Sequence, residues 1–209
     1  SDFGNLTLQK SQTCAFSNQT RGIFAGGYTP TAQDVIEYIT IAQTGNAVDF
    51  GNLLAAAYGG AATSNSVRGV IMSGYASGNV NTVQYVTIST AGNAIDFGDL
   101  TGARHYPATA FNATRSVFGG GSGNSTIIEF FTTATTGNAQ DFGDLATGSA
   151  ASFGMSSPIR GLFAGGNTPS FTDRIEFITI QTTGNGTDFG DMTTATAGAA
   201  GCSNGHGGL

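Results

Sequence analysis

Charged side chains are scarce in this chain. Asp, Glu, Lys and Arg together make up 10% of its 209 residues, against roughly 25% in ordinary globular proteins. The formal net charge is −6 and Lys10 is the only lysine, whereas binding to nucleic-acid phosphates requires clustered Lys and Arg. We therefore expect no nucleic-acid partner. With 33 glycines beside so few charges, the composition favours strands and tight turns over surface helices.

Long apolar runs are missing as well. No segment approaches the roughly 18 apolar residues of a membrane helix, so we expect no membrane insertion. The N-terminus lacks the charged-then-apolar pattern of a signal peptide. Because the sequence opens inside a repeat, we expect a processed product or a fragment of something longer.

The sequence also lacks metal-binding and catalytic motifs. The only histidines are His105 and His206, both expected on the surface, whereas a zinc site needs three or four nitrogen or sulfur ligands. No nucleophile elbow, Walker loop or dinucleotide fingerprint occurs in a strand-to-helix context. We predict no metal, no cofactor and no enzymatic activity.

What the sequence does contain is a repeated Asp-Phe-Gly triplet. The triplets begin at Asp2, Asp49, Asp96, Asp141 and Asp188, at spacings of 47, 47, 45 and 47 residues. A protein kinase has one such triplet, which holds magnesium, and also needs a strand lysine and a catalytic-loop Asp and Asn. Since the triplet recurs and the chain has a single lysine, we interpret it as a repeat marker. A period of this length indicates a solenoid or a propeller.

Each repeat contains the same parts in the same order. An apolar strand runs into glycines, as in RGIFAGG (21–27), and after a variable loop comes a strand such as VIEYITI (35–41). The segment TGNA (44–47) then leads into the next triplet. β-Branched and aromatic residues with alternating polarity predict strands, and Gly-Asn pairs suit tight hairpin turns. About four short strands per repeat is the size of one propeller blade.

The repeat resembles the kelch repeat, in which one strand ends in two glycines and the next carries a Glu beside an aromatic residue. The matching pairs are Gly26-Gly27, Gly119-Gly120 and Gly165-Gly166, then Glu37-Tyr38, Glu129-Phe130 and Glu176-Phe177. The second repeat departs from this pattern at Ser73-Gly74 and Gln84-Tyr85. The kelch tryptophan is absent throughout, and the triplet phenylalanine occupies its position.

The period and the resemblance predict an all-β fold, a single β-propeller domain over residues 1–209 with kelch-like four-stranded blades. The repeat units are 2–48, 49–95, 96–140, 141–187 and 188–209. Five triplets but only four complete sets of the other strands are present. We predict five blades, the last one incomplete and shared by the N- and C-terminal segments. A four-bladed ring and a section of a longer propeller remain alternatives.

The two cysteines, Cys14 and Cys202, lie just before the Ser-Asn pairs of their repeats. In a five-bladed ring these repeats would be neighbours, so a disulfide that closes the ring is one interpretation. Two separate buried thiols are the other, because equivalent atoms of adjacent blades often exceed the ~7 Å Cα separation that a disulfide allows.

Most charged residues recur at fixed positions of the repeat. Besides the triplet aspartates, they are Arg21, Arg68, Arg115 and Arg160, then Glu37, Glu129 and Glu176. Catalysis needs one asymmetric site, so we interpret these charges as structural; a repeated ion or ligand site is the alternative. We predict that each Arg lies opposite the Glu of its own blade or near a triplet Asp, in a partly buried pair that fixes register.

Two loops in each repeat vary in sequence, one after the glycines and one after the triplet. Because strand directions alternate within a blade, both loops are expected on the same face. The candidate binding residues in these loops are Tyr28, Tyr58, Tyr75, Arg104, His105, Tyr106 and Phe171. Aromatic rings among small polar groups suit sugar or protein recognition, since rigid rings give contact area at low entropic cost. Ordinary solvated loops with scattered tyrosines are the alternative.

The wider pattern of RGxFAGG, IEYITI and TGNAxDFGDL is similar to kelch-like propellers in structural proteins of tailed bacteriophages, especially those that infect cyanobacteria. This resemblance implies a virion or extracellular location, in a tail fibre or surface appendage. The leading hypothesis is a non-catalytic propeller that recognises a host-surface glycan or protein through its variable loops. A purely structural module that contacts other virion proteins is the alternative. A homo-oligomer is left open.

Overall fold

The computed structural model describes residues 1–167 and 169–204. Thr168 and residues 205–209, which include His206 and the end of the fifth repeat unit, lie outside the described residues. All regular secondary structure within the described part is β-strand, which confirms the predicted all-β class. No helix of these residues has the length and apolar character that a membrane crossing requires.

Sixteen strands form four antiparallel sheets of four strands each, which we label A to D in chain order. Sheet A contains β1 (Cys14–Ser17), β2 (Arg21–Ala25), β3 (Gln33–Thr40) and β4 (Val48–Ala57). Sheet B contains β5 (Ala61–Ser64), β6 (Arg68–Met72), β7 (Thr82–Thr87) and β8 (Ile95–Asp99). Sheet C contains β9 (Ala108–Phe111), β10 (Arg115–Gly119), β11 (Ile127–Thr132) and β12 (Gln140–Asp144). Sheet D contains β13 (Phe153–Ser156), β14 (Arg160–Ala164), β15 (Arg174–Thr179) and β16 (Thr187–Asp191).

The sheets are arranged like the blades of a propeller. Their first strands contact one another in chain order, β1 with β5, β5 with β9 and β9 with β13. A channel of about 370 Å³ is lined by residues of these four strands, by Gly22, Ile23 and Phe24 of β2, and by residues 201–203. Each sheet begins at the channel and ends on its triplet strand, so a sheet joins the last three strands of one sequence repeat to the triplet of the next repeat.

The triplet forms a β-bulge on the last strand of each sheet. In sheet A, Ile36 is in register with Gly51 and Glu37 with Asp49, so Phe50 between them has no partner. The same register shift occurs in sheets B, C and D. A bulge re-aims the side chain of the extra residue, and the Phe50 ring packs edge to face on Tyr38 at a centroid distance of 5.9 Å. The equivalent ring pairs are Phe97 with Tyr85, Phe142 with Phe130 and Phe189 with Phe177.

The backbone of this bulge also joins each sheet to the next one. The N–H of Gly92, in the Gly-Asn turn of sheet B, donates to the carbonyl of Phe50 at 2.7 Å. In return, the Asn52 N–H donates to Asn93 Oδ1 at 3.0 Å. Gly51 has φ +147°, and a Cβ there would lie 2.4 Å from the carbonyl oxygen of Gly92. Only glycine fits, both because of its φ and because of this close approach.

The two ends of the array differ from its interior. At the start, residues 2–6 lie on the turn of sheet A without belonging to a sheet, and the Gly45 N–H donates to Phe3 O at 2.7 Å. These residues make the same contact with the turn of sheet A that a triplet strand makes with the turn of the next sheet. At the other end, the triplet strand of sheet D lies open, and Phe189 is 52% exposed.

The importance of the glycine contact can be tested by comparing Gly98→Ala with Gly190→Ala. Both glycines have unusual positive φ values, +144° and +133°, but a Cβ at Gly98 would meet Gly137 O at 2.3 Å whereas one at Gly190 has nothing within 4 Å. We expect Gly190→Ala to cost about 1–3 kcal/mol through backbone strain. Gly98→Ala should cost about 1–3 kcal/mol more, because the turn of sheet C must move.

The measurement is the free energy of unfolding of both variants in urea at equilibrium. Equal losses in the two variants would show that the close approach of the sheets does not constrain this glycine.

Candidate functional site

The repeated arginines join neighbouring sheets through a ring and a carbonyl. The guanidinium of Arg21 lies 4.4 Å from the centroid of its own sheet's Tyr38 ring, and its Nη1 donates to the Ile88 carbonyl beyond β7 at 2.9 Å. In the same way, Arg68 stacks on Tyr85 and donates to Ala134 O, and Arg115 stacks on Phe130 and donates to Ile180 O. Arg160 stacks on Phe177 at 4.7 Å.

The predicted pairing of these arginines with Glu or with a triplet Asp was wrong. Arg21 is in register with Thr40, whereas Glu37 lies opposite Phe24, three pairs further along the strands. No salt bridge within residues 1–167 and 169–204 involves a repeated arginine. The delocalised guanidinium satisfies a backbone carbonyl and a ring face instead, as its planar shape allows.

The triplet aspartates do not join the sheets through their carboxylates. Asp49, Asp96, Asp141 and Asp188 are exposed, and none forms a salt bridge within the described part of the chain. The contact between sheets is made by the backbone of the following Phe and Gly. Nothing in the structure explains why the carboxylate recurs.

The repeated glutamates are buried, and two of them, Glu37 and Glu129, are paired with a cation from the loop after the preceding triplet. Glu37 accepts hydrogen bonds from the Thr7 N–H at 2.7 Å and hydroxyl at 2.6 Å, and its other oxygen lies 2.7 Å from Lys10 Nζ. Glu129 accepts from the Thr101 N–H at 2.7 Å and pairs with Arg104 at 2.5 Å. Both carboxylates have no exposed surface, so the cation offsets a large desolvation cost.

The second repeat replaces this ion pair by a neutral pair. Ala57 stands where Lys10 and Arg104 supply a cation, and Gln84 stands in the place of the glutamate. Gln84 accepts from the Leu54 N–H at 2.8 Å and donates to Ser73 Oγ at 2.7 Å. The two departures from the kelch-like pattern, Ser73 and Gln84, are therefore one interaction, which avoids a buried carboxylate without a counter-charge.

The fourth sheet solves the same problem with a cation from its own strand. Ser149 stands at the cation position, and Glu176 is approached instead by Nη1 of Arg174, two residues earlier on β15, at 3.4 Å. Glu176 also accepts from the Ala146 N–H at 2.9 Å. Each sheet thus keeps the backbone hydrogen bond to this side chain, and the four sheets deal with its charge in three different ways.

Five of the seven candidate binding residues form one continuous aromatic cluster, made of Tyr28, Tyr58, Tyr75, His105 and Tyr106. The ring centroids of Tyr28 and Tyr58 are 5.1 Å apart, and those of Tyr58 and Tyr75 5.3 Å. His105 continues the row, 5.5 Å from Tyr75 and 4.5 Å from Tyr106. Tyr28 is 41% exposed and the other four are half-buried, so the rings pack on each other and still face solvent.

The two variable loops of a repeat lie side by side, which brings these rings together. Isolated antiparallel bridges join Ser11 to Tyr28, Tyr58 to Tyr75, and Ala150 to Asn167. In the third repeat, the Ser122 N–H donates to the His105 carbonyl at 2.8 Å. The aromatic cluster covers the first three repeats, and small side chains take the same positions in the fourth.

A backbone ladder fixes Tyr106 at the end of the cluster. The ladder consists of Gln12, Gly59, Tyr106, Ala151 and Gly198, each ten residues after a triplet Asp, with φ between +54° and +69°. Each N–H after the first donates to the carbonyl of the preceding member, at 3.1, 2.8, 3.0 and 2.8 Å. A left-handed conformation is costly for residues other than glycine, so these bonds hold Tyr106 in a conformation it would not adopt alone.

Polar side chains frame the cluster. His105 Nδ1 lies 2.7 Å from Asn79 Oδ1, and Asn79 Nδ2 donates to Ser122 Oγ at 3.3 Å. The Tyr106 hydroxyl donates to Gln12 Oε1. Asn79, Ser122 and Gln12 were not among the binding residues predicted from the sequence. The signal that could have found them is their position in the same variable loops as the rings.

The cluster is uncharged at neutral pH. Burial lowers the pKa of His105, which keeps the imidazole neutral, and the hydrogen bond to Asn79 Oδ1 places its proton on Nδ1. Burial, followed by the neighbouring Tyr58, raises the pKa of Tyr106. The surface therefore offers ring faces, hydroxyls and amides without a charge.

The other two candidates lie elsewhere. Arg104 is 3% exposed beneath the loops and belongs to the buried pair with Glu129, so we leave it out of the binding surface. Phe171 is 63% exposed in the fourth repeat, bridged to Asn167 and not in contact with the other rings. Its role in binding stays a prediction, and the recognition surface proposed below does not include it.

Both cysteines are free thiols, so the disulfide interpretation does not describe this structure. Cys14 is buried and Cys202 is exposed. Burial raises the pKa of Cys14 to about 12, which suppresses the reactive thiolate. No group of three or more His, Cys, Asp or Glu in the described part of the chain could hold a metal ion.

No protein-family model matches this chain, and no curated protein matches it in sequence. The class that the fold defines is a propeller-like all-β repeat protein, built from four similar four-stranded sheets.

In each sheet a buried carboxylate at this position is paired with a cation or replaced by a neutral amide. This charge-matching rule predicts how variants of the Lys10–Glu37 pair behave. Glu37→Gln leaves the buried Lys10 ammonium without a counter-charge, and we expect a loss of about 3–5 kcal/mol. The double variant Lys10→Ala, Glu37→Gln copies the natural Ala57 and Gln84 arrangement. We expect it to recover most of that loss, remaining about 1 kcal/mol below wild type because Gly26 has no hydroxyl to accept from the amide.

Urea unfolding of wild type, the two single variants and the double variant gives the coupling energy directly. Losses that simply add in the double variant would contradict the rule.

The same pair predicts a dependence of stability on pH. Burial opposes ionisation of Glu37, but hydrogen bonds from Lys10 and Thr7 outweigh it and lower the pKa of the carboxyl below its usual value. The stabilisation is therefore complete above the unfolded-state pKa of about 4.3 and is lost as the pH falls through the lower folded-state pKa. The unfolding free energy of wild type should therefore fall relative to that of the neutral double variant as the pH drops below ~4, because a protonated Glu37 leaves the Lys10 ammonium without a counter-charge. A constant difference from pH 7 to 3 would contradict this assignment.

Proposed function

We propose that the aromatic cluster is a recognition surface for a host-surface glycan or protein. One observation carries the proposal: five ring side chains from three successive repeats form a single row on the variable loops. The scaffold repeats but the row does not, since Ser122, Ala150 and Asn167 occupy the equivalent positions beyond it. A unique patch on a repeated scaffold is what binding of one ligand requires.

The chemistry of the row favours the uncharged face of a sugar chain. Ring faces offer apolar area to the C–H face of a pyranose, and they lose little side-chain entropy on contact. The Tyr hydroxyls, Asn79, Ser122 and Gln12 supply the few placed polar groups that orient a ligand. A strongly charged ligand has no counter-charge here, because Arg104 is buried and bound to Glu129.

The setting we propose is the surface of a virion, in a tail fibre or similar appendage, with no catalytic activity. The similarity of the repeat to phage propellers supports this location. The scarcity of unique titratable groups supports a binding role, because most charged residues recur at fixed positions of the repeat and others, such as Lys10 and Arg104, are paired with the buried Glu37 and Glu129.

We also propose five propeller positions, the fifth formed by both terminal segments. Two observations support this count. Residues 201–203 line the central channel beside β1, β5, β9 and β13, and the backbone ladder has five members. In this arrangement residues 2–6 provide the triplet strand of the fifth position and residues 201–204 its first strand.

A structural module that docks to other virion proteins is the second candidate. The observation that favours it is the open face of sheet D, where Phe189 is 52% exposed.

The recognition proposal is tested with the variant Tyr28→Ala, Tyr58→Ala, which removes the most exposed ring and its neighbour. We expect binding of the labelled protein to host cells, or to an array of bacterial surface glycans, to weaken at least tenfold, in line with the ~2 kcal/mol typical of interface anchors. Phe171→Ala is the matched control, an exposed aromatic outside the cluster, and should bind like wild type. Equal binding by both variants, or no saturable binding by wild type to any cell or glycan, would reject the recognition role.

A further inference from the structure

The interfaces between successive sheets repeat closely, and the last one is half complete. At the interfaces of A with B, B with C and C with D, the triplet strand of one sheet receives the Gly-Asn turn of the next. The phenylalanines covered in this way, Phe50, Phe97 and Phe142, are each 2% exposed. Phe189 holds the same position in sheet D and is 52% exposed. Residues 201–204 lie against β13, where the Asn204 N–H donates to Ser156 O at 3.2 Å. No described residue supplies the turn that would cover Phe189, so sheet D presents one half of a turn interface without its other half.

Side chains on the same face of sheet D are open too. Ile23 and Val70, in β2 and β6, are fully buried, whereas Leu162 at their position in β14 is half-buried. Arg160 stacks on its ring like the other arginines but donates to no carbonyl of the next position within residues 1–167 and 169–204. These side chains border an open groove of about 310 Å³ that also touches Met155.

The backbone of sheet D already has the conformation that receives a turn in the other sheets. Gly190 keeps the bulge and a φ of +133°, yet among the described residues a Cβ there would meet no atom within 4 Å. Its counterpart in sheet C, Gly143, approaches the Gly184 carbonyl so closely that a Cβ would lie 2.5 Å from it. Sheet D thus keeps a backbone conformation that residues other than glycine rarely adopt, although no described residue packs against it.

We propose that this open face of sheet D is a docking surface for a β-hairpin of a second protein that ends in a Gly-Asn turn. The three complete interfaces define the contacts. The glycine N–H of the turn donates to the carbonyl of Phe189, and the asparagine Oδ1 accepts from the N–H of Asp191, as Asn185 accepts from Asp144 at 3.0 Å. The proposal does not depend on the aromatic cluster or on a glycan ligand.

The charge of the hairpin is constrained as well. By the same template, its second strand carries a Glu or Gln that accepts from the N–H of Thr193. The cation position, eight residues after the triplet Asp, is Thr196 in this interface. A docking Glu must therefore bring its own arginine, as Glu176 does with Arg174, or be replaced by Gln as in Gln84.

A synthetic peptide with the sequence of residues 158–187 meets every one of these requirements. It contains the two middle strands of a sheet, the Gly184-Asn185 turn and the Arg174–Glu176 pair. Added to the full chain, it should slow amide hydrogen exchange of Asp191 and Thr193 at least tenfold and saturably, since these two N–H groups become hydrogen-bonded. The same peptide with Asn185→Ala should protect less.

Gly190→Ala is the matched protein variant. Its new methyl group meets no atom of residues 1–167 and 169–204 within 4 Å but occupies the place of the turn carbonyl, so we expect a folded protein without peptide protection. Because an isolated hairpin is marginally stable in water, the peptide is also tested joined to the chain by a flexible linker, which raises its effective concentration to the millimolar range.

Three results would overturn the proposal. The first is no protection even with the linked peptide, and the second is equal protection in Gly190→Ala. The third is slow exchange of the Asp191 and Thr193 amides in the protein alone, since the face would then already be covered by the chain itself or, if sedimentation shows a dimer, by a second copy.

Discussion

The structure depends on the close approach of one sheet's bulge to the next sheet's turn. The N–H of the turn donates to the carbonyl of the triplet phenylalanine, and the two backbones lie so close that a side chain on the next residue would collide with the turn. Glycine at the end of each triplet makes this approach possible. The bulge then turns the triplet phenylalanine into the interface, and the ring provides the apolar contact. Sheets with so few charges can stack because their main connections are backbone hydrogen bonds, which need no charged side chain.

In the interior of this fold, ion pairs form where a carboxylate is buried. A carboxylate on the third strand accepts a backbone N–H from the preceding loop, and once buried it needs a cation. Lys10 and Arg104 meet this need from the loop, and Arg174 from the strand. In the second repeat the carboxylate itself is absent, and Gln84 with Ser73 keeps the hydrogen bond. Four repeats thus solve one electrostatic problem in three ways, which shows that the bond to the backbone is the constant requirement and the ion pair its consequence.

The scaffold leaves the variable loops free to differ. Their residues contact each other across neighbouring repeats, so a ring in one repeat can pack on a ring in the next. The row from Tyr28 to Tyr106 arises in this way, while the corresponding positions of the fourth repeat hold small side chains. Both surfaces that we propose for binding lie where the repeat is interrupted, the aromatic cluster on the loop face and sheet D at the end of the array.

Several of these features were predictable, and the reasons for the failures are physical. The 47-residue spacing and the glycine-rich turns indicated four-stranded repeats, and the variable aromatics indicated the cluster, because five of the candidates lie in loops that pair across the same face. The predicted pairing of Arg with Glu was wrong. Both residues recur with the same period, but the period does not reveal the register of the two strands, in which three residue pairs separate Arg21 from Glu37. Arg104 was assigned to the surface because a loop position does not reveal which side chain turns inward toward a buried acid.

The sequence by itself determined the repeat, the strand character of its parts and the triplet as a structural marker, because these rest on local backbone preference and on periodicity. Only the tertiary structure decided which charges are buried together, which rings touch and which end of the array is uncovered. Those properties depend on contacts between residues of different repeats. A repeating pattern predicts the same local conformation for every copy, but it does not predict which residues of other repeats each copy contacts.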